Sequence, residues 1–414
     1  MDLQHISSNK QWNLALNILR DDAVSEIEVN ARDGFFLKRK GRREHIEALS
    51  FENDEEYADS IEPGLVPHIV SFDKFDPQGY IFEGPLRYKV DGREIRGRCH
   101  IVLPPAADVP QVTIAKKSTS LSTLDLIASG GSMPSEVLAF VKAAAAADLT
   151  IVFSGGTGAG KTTFLEAFTK ELSDTTRLGV AEDTPELVLV QPNTTYLHSV
   201  PWRPGMEEKN VASLSWIVAQ FNRMRTDKLI IGETRGKEFA DFLIAANSGM
   251  DGSLTTLHAN DPVRALEKMT NFTLKGNPNQ PTRAANIDIA NAIDLVIQLA
   301  YFKQDSRYRV TAVQEITNIV NEKESASITT NRLYTYNESD DTWSKVANPT
   351  DDMRKKFKDS GISILDIAKS QPGSKLQGSG AAETASTNPG PGQSGGGVPR
   401  FGRPNAGGLP VRTI

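Results

Sequence analysis

Leu149-Thr150-Ile151-Val152-Phe153-Ser154-Gly155-Gly156-Thr157-Gly158-Ala159-Gly160-Lys161-Thr162-Thr163-Phe164 is the stretch whose reading decides the fold. Ile151, Val152 and Phe153 form a short apolar run that reads as a buried strand. Gly155 to Thr162 then follows the phosphate-loop spacing G-x-x-x-x-G-K-[ST]. Thr163 to Glu171 alternates apolar and polar residues at helical spacing, so the order is strand, glycine loop, helix. Phosphate chemistry needs that order. Glycines let the backbone wrap close to phosphate oxygens with its N–H groups turned inward, and the helix offers its positive end to the anion. Lys161 can then reach the β- and γ-phosphates, and Thr162 can offer its hydroxyl to Mg2+. The bland alternative is a glycine turn that happens to contain Lys-Thr, and eight spaced positions in the right context argue against it. The stretch implies a nucleoside triphosphate cradled by Gly155, Gly156, Thr157, Gly158, Ala159, Gly160, Lys161, Thr162 and Thr163.

A length of 414 residues allows two or three domains. A net charge of -6, with 39% hydrophobic and 24% charged residues, suits a soluble globular protein and gives no whole-chain electrostatic reason to bind nucleic acid. Cys99 is the only cysteine, which rules out an intrachain disulfide framework and fits a cytoplasmic home. The polar N-terminal residues lack the apolar core of a signal peptide, and no stretch approaches the roughly 18 apolar residues of a spanning helix. Any membrane connection is expected to run through a partner.

Outward from the loop, the chain divides into recognisable pieces. Residues 1–20 predict a polar lead and a short amphipathic helix with Trp12, Leu14, Ala15 and Ile18 near one face. Ser25–Asn30 and Phe35–Lys38 flank Arg32-Asp33-Gly34, a hairpin signal in which Asp-Gly supplies the positive φ of a tight turn. Lys40-Gly41 marks a second turn, Asn53–Asp59 a short helix, and Asp91-Gly92 a hairpin between Ile81–Val90 and Arg96–Leu103; Val109–Ile114 adds a strand. These predict a small α+β domain with an antiparallel sheet over 1–118. A linker over 119–131 contains a helical turn, Thr123–Ser129, and Ser132 or Ser135 is expected to cap the alanine-rich helix that follows. Strands are expected at Arg177–Ala181, Leu187–Val190, Leu229–Ile231 and Ser253–Leu257. Helices are expected at Leu214–Met224, at Lys237–Ala246 and from Pro262. That alternation predicts a parallel sheet covered on both faces within 132–345. Residues 287–299 read as a helix running into a strand, Val310–Ile316 as a strand, and Leu333–Tyr336 as an edge piece. A helical extension is assigned to 346–369, and the Gly/Pro/Ser-rich tail, 370–414, is expected to be disordered.

Hydrolysis needs a carboxylate near the metal and another to orient water. Leu229-Ile230-Ile231-Gly232-Glu233 delivers an acid to the C-terminal end of an apolar strand, where open α/β sheets build their sites. Glu233 is therefore the first choice for polarising water. Glu182-Asp183 is the second acidic pair, with a solvated loop acid as the structural alternative. Thr162, Glu182 and Glu233 form the expected metal set. His258 ends another strand and can report on the γ-phosphate, although a lone histidine is more often structural. Arg223, Arg225 and Arg235 flank the Glu233 strand and can meet transferring charge or form ordinary ion pairs. No zinc-ligand spacing occurs.

This set of motifs resembles the secretion (traffic) ATPase superfamily, which powers type II and type IV secretion, type IV pili and Tad pili. Ala181-Glu182-Asp183-Thr184-Pro185-Glu186 resembles its Asp box, Arg223 to Arg235 its Walker B segment with a Gly-Glu pair, and Gly249 to Asn260 its His box. The likeness covers roughly residues 80–320, and the N-terminal hairpins with Leu103-Pro104-Pro105 fit the Tad-pilus and conjugation-type branch. It implies a RecA-like P-loop ATPase domain preceded by a smaller α+β domain, ATP and Mg2+ between them, and a homo-hexameric ring. It further implies a motor for pilus assembly or secretion, peripheral at the cytoplasmic face of the inner membrane and bound to platform or secretion-system proteins there. Family roles fall on Glu233, Glu182, Asp183 and His258, with Arg203, Arg223 and Arg235 as phosphate or interface arginines. Three positions depart from the family pattern: Met250 at the first His-box histidine, Ala115 where an arginine is common, and Thr226 for a proline. Lys116 or Lys117 can stand in for the missing arginine as charge, without its planar fork. Within this class a conjugative machine is the alternative to a pilus. A nucleotide-switched ring with little hydrolysis and a nucleic-acid motor are the readings from other classes, the last opposed by the acidic balance and the lack of an aromatic-basic patch.

Overall fold

The structure, a computed structural model, describes residues 3–39, 41–69, 79–117, 122–200, 211–317 and 327–378. Two sheets organise them. The first is built from β1 (Val24–Val29), β2 (Phe35–Arg39), β3 (Arg42–His45), β4 (Ile81–Val90), β5 (Arg93–Val102) and β6 (Gln111–Lys116). Its order is β3-β2-β1-β6-β5-β4, with every neighbouring pair antiparallel. Helices α1 (Leu3–Ile18) and α2 (Asp54–Gly64) accompany it. Trp12 of α1 enters an aromatic core with Phe35, Phe51 and Tyr57 and satisfies its indole N–H on Ser60 Oγ at 2.8 Å. The buried face of α1 runs Trp12, Ala15 and Leu16 and continues to Leu19 just past its end, while Leu14 is exposed, so the expected face is rotated. The β4–β5 turn has the expected form, with Asp91 at φ 46° and Gly92 at φ 75°. The earlier Asp-Gly does not: the loop closes through Gly34 N–H to Ala31 O and Asn30 N–H to Gly34 O, and neither Asp33 nor Gly34 needs a positive φ.

The second sheet has ten strands. They are β7 (Ile151–Gly155), β8 (Leu178–Glu182), β9 (Thr194–His198), β10 (Lys228–Thr234), β11 (Leu254–His258), β12 (Leu295–Phe302), β13 (Arg307–Thr317), β14 (Thr329–Asn337), β15 (Thr342–Lys345) and β16 (Lys375–Gln377). In the order β16-β15-β14-β13-β12-β7-β11-β10-β8-β9, the part from β12 to β9 is parallel and β12 to β16 is an antiparallel extension. The sheet is therefore mixed, and Leu333–Tyr336 lies inside it within β14, not at its edge. The helices are α3 (Leu124–Ser129), α4 (Ser135–Ala146), α5 (Lys161–Thr169), α6 (Leu214–Met224), α7 (Glu238–Ala246), α8 (Pro262–Gly276), α9 (Thr282–Ala292), α10 (Asp351–Asp359) and α11 (Ile364–Ile367). Strand alternation sends Ile151 and Phe153 into the core shared with α4 and α5, and Val152 into the core shared with α6 to α9. Both faces are covered, as a parallel strand set requires.

Local chemistry overrode three sequence expectations. Leu187–Val190 forms no strand, because its backbone donors are taken by side chains: Leu187 N–H by Glu182, Val188 N–H by Glu166, and Leu189 N–H by Tyr196. Neither Ser132 nor Ser135 caps α4; Pro134 occupies that position with no side-chain bond. Residues 370–378 are held in place, although disorder was expected from Ser370. Ser370 N–H donates to Glu136 at 3.0 Å, Lys345 Nζ donates to Ala368 O at 2.8 Å, and β16 adds to β15. The remainder of the expected tail, 379–414, lies outside the described residues, as does the 119–121 part of the linker. Among the described residues no helix is long and apolar enough to cross a membrane.

Candidate active site

The glycine loop leaves the C-terminal end of β7 and feeds α5, with Gly158 at φ 73° and Gly160 at φ 85°. Gly155 is fixed by crowding, since a Cβ there would lie 2.7 Å from Leu299 O and 2.9 Å from the Ala159 methyl. Lys161 is buried, and its ammonium donates to Gly155 O at 3.1 Å and Gly156 O at 3.0 Å while lying 3.3 Å from His258 Nδ1. Desolvation pulls its pKa down to about 8 against the attraction of Glu233. His258, at the end of β11, bridges onward: its Nε2 lies 3.1 Å from Glu233 Oε1. Glu233 also accepts from Arg235 at 2.7 Å. Burial disfavours its charge, but the hydrogen bonds from His258 and Arg235 outweigh burial and hold it ionised down to about pH 2.

Glu182 sits beside this chain at the end of β8, 3% exposed. Its Oε1 accepts from the backbone N–H groups of Glu186 at 3.0 Å and Leu187 at 2.8 Å, whereas its buried Oε2 has no hydrogen-bond partner among the described residues. Burial lifts its pKa to about 7 in spite of those two donors. Gly232 makes room for it, because a Cβ at that position would stand 3.1 Å from Glu182 Oε1. That contact gives the Gly-Glu pair at the end of β10 a steric reason. Thr162, Glu182, Asp183, Glu233 and Arg235 line one cavity of about 30 Å³. Asp183 accepts from Ser199 at 2.7 Å. The acids therefore have different characters: Glu233 is charged and fully partnered, and Glu182 is poised to exchange a proton.

The unfolded Glu182 releases its proton near its ordinary 4.5 and the folded one near 7, so between those values the folded chain holds more protons. Stability should thus fall as pH rises through that window, by about 3 kcal/mol in total, and then level off. Urea unfolding of wild type and Glu182→Gln in EDTA, from pH 5 to 8, checks this. The difference between the two proteins should move only below about pH 7, and curves that stay parallel throughout would remove the argument.

Beside the cavity a cleft of about 670 Å³ separates the first sheet from α5, lined among others by Arg87, Arg96, Arg98, Lys117, Thr162 and Glu166. Sequence reading missed the three arginines. Their signal was the alternation of Arg96 and Arg98 on β5, with Arg87 directly opposite Arg96 on β4. Lys117 reaches α5, 2.7 Å from Glu166, while Lys116 turns the other way to Asp21 O at 2.9 Å. Lys268 was also missed; its ammonium donates to the carbonyl of His258 and acts electrostatically on Lys161.

Other expected residues fall elsewhere. Arg223 is exposed in the last turn of α6, before β10 begins, whereas Glu233 lies near the other end of that strand. Met250 is buried at the far end of β11 from His258, and the Thr226 hydroxyl lies 3.8 Å from its sulfur. Two of the three sequence departures are thus packing neighbours, and Met250 does not face the glycine loop. Arg203 lies outside the described residues.

The model of the family described as type II/IV secretion system protein matches residues 74–339. The chain belongs to that family. A similar protein is the "Probable conjugal transfer protein TrbB" of Sinorhizobium fredii, 27% identical over 318 residues, which covers 76% of this chain and 90% of that one. Another is the type IV secretion system protein VirB11 of Bartonella quintana, 28% identical over 180 residues, or 43% of this chain and 49% of that one. Among solved structures, the Legionella pneumophila ATPase DotB gives a TM-score of 0.52 at 18% identity, covering 74% of this chain and 80% of that chain. The pilus retraction motor PilT gives 0.51 at 11% identity, covering 90% of each. At those identities the structural likeness establishes the fold.

Proposed function

We propose that this chain hydrolyses ATP as one protomer of a homo-hexameric ring that powers secretion or pilus assembly from the cytoplasmic face of the inner membrane, through proteins embedded there. The observation that carries the reading is the continuous contact Lys161–His258–Glu233–Arg235 beside a cavity lined by Thr162 and Glu182. The loop from Gly155 to Thr163 holds the phosphates, and the positive end of α5 faces them. Among the described residues no cluster of three His, Cys, Asp or Glu could hold a metal by itself. That suits Mg2+, which takes one or two protein oxygens and completes its shell with phosphate and water. The Thr162 hydroxyl and the unpartnered Oε2 of Glu182 are the fitting donors. When bound, the ion neutralises phosphate charge. Lys161 supplies a fixed positive charge, and Arg98 of the first sheet enters the same cavity from across the cleft. Glu233, ionised down to about pH 2, is a weak proton acceptor, so its role is to orient and polarise water while holding His258.

Within this reading residues 1–118 act as a unit that closes the cleft over the 132–345 unit when nucleotide binds. Conjugal transfer in the name of a relative covered to 90% favours a conjugative type IV machine over a pilus. Nucleic acid is not a direct substrate of this motor. The test is mass determination of the purified chain by light scattering, with and without Mg-ATP, together with phosphate release. Turnover by particles near six protomers supports the reading. A monomer that binds ATP without turnover would sink it, and turnover stimulated by DNA in a salt-sensitive way would replace it with a nucleic-acid motor.

A further inference from the structure

We propose that Tyr308, backed by Tyr301, is the shelf on which the base of the bound nucleotide stacks; this rests on the reading that the glycine loop binds ATP. The two tyrosines face each other as a registered pair across β12 and β13, with ring centroids 4.9 Å apart. Their hairpin overshoots the start of the glycine loop. Leu299 pairs with Gly155 at the last position of β7, so Ala300, Tyr301 and Phe302 run on beside the loop. There the Tyr308 ring packs on the loop itself: a Cβ on Gly160 would lie 3.1 Å from its Cδ1. Tyr308 nevertheless keeps 47% of its surface exposed. The hairpin is anchored from beneath by Arg309, 1% exposed, which binds Asp305 at 2.7 Å and Asp341 at 3.0 Å. Beside Tyr301, the β2–β3 turn approaches, so that a Cβ on Gly41 would be 3.1 Å from the Tyr301 hydroxyl.

Strand order gives the direction. β7 lies between β11, which carries His258, with Glu233 next on β10, and β12, which carries Tyr301. A nucleotide whose terminal phosphate points to Glu233 and His258 and whose chain crosses the loop places its base on the opposite side, at Tyr308. An aromatic cross-strand pair stabilises a hairpin by itself. Hairpin stability does not require one of those rings to sit on the phosphate loop with half its surface open. Every base offers a π-face to such a shelf, and the larger purine gains more than a pyrimidine.

Equilibrium binding of Mg-ATP, Mg-CTP and inorganic tripolyphosphate by wild type, Tyr308→Ala and Tyr308→Phe tests the shelf. Tyr308→Ala is expected to weaken ATP about tenfold and tripolyphosphate less than twofold, with Tyr308→Phe near wild type. In wild type ATP should bind more tightly than CTP, a comparison that needs no variant, and the gap should narrow in Tyr308→Ala. Equal loss of ATP and tripolyphosphate in Tyr308→Ala would make the ring a support for the loop's shape and overturn the proposal. Unchanged ATP affinity would do the same by placing the base elsewhere. A chain that shows the expected binding pattern but no hydrolysis keeps the shelf and loses the motor reading, so the two failures stay separate.

Discussion

Glu233→Gln is expected to lower ATP turnover about 10²- to 10⁴-fold while changing ATP affinity by less than about threefold. The substitution is nearly isosteric, and the glutamine oxygen still accepts from Arg235 or His258. What disappears is a full negative charge held in place by two donors, at 3.1 Å from His258 and 2.7 Å from Arg235. Without it nothing in the Lys161–His258 pair attracts and orients a water on the far side of the terminal phosphate. Binding survives because the loop backbone, Lys161 and Thr162 are untouched. Steady-state phosphate release and equilibrium ATP binding on the same preparations check both halves. Because Glu233 stays ionised down to about pH 2, any loss of wild-type activity between pH 5 and 8 must come from another group. A variant with turnover within threefold of wild type would leave the orienting role without support.

The parts of this molecule legible in its sequence are those dictated by short-range rules. A glycine loop between a buried strand and a helix, an Asp-Gly turn with both residues at positive φ, and an acid after three apolar strand residues and a glycine each announce themselves locally. The acids near the loop were legible for the same reason, because strand ends in a parallel sheet converge on one edge. Sequence reading failed where long-range partners decide. Leu187–Val190 has strand composition, but carboxylates of Glu182 and Glu166 outcompete a ladder for its donors. Ser370 has the composition of a disordered tail, yet a half-buried Glu136 on α4 claims its N–H. Arg223 is close to Glu233 in number and a strand's length away in space. The cleft arginines belong to a different sheet, and only the approach of β5 to α5 reveals them.

Lys161→Ala should weaken ATP roughly 30- to 4,000-fold, the range for truncating one partner of a buried charge pair, and should not lower the stability of the nucleotide-free protein. The two halves follow from one fact. Folding brings the ammonium out of water against loop carbonyls and a histidine nitrogen, with no carboxylate of the described residues in direct contact, and its pKa falls from 10.5 to about 8. Its folded form loses the proton first, so at neutral pH the charged lysine opposes folding, and wild-type stability should rise with pH between about 8 and 10.5. Alanine removes that opposition, so the nucleotide-free melting temperature should stay level or rise. The rise with pH above 8 should vanish with it. A lysine held for packing would give the reverse pattern, with lower stability and unaltered phosphate binding. Calorimetric unfolding from pH 7 to 10, paired with tripolyphosphate titration, separates the two. Parallel losses of stability and binding would show that the loop needs Lys161 for its shape; a melting point held or raised as binding collapses means that the fold bears the strain of this charge for the anion it meets.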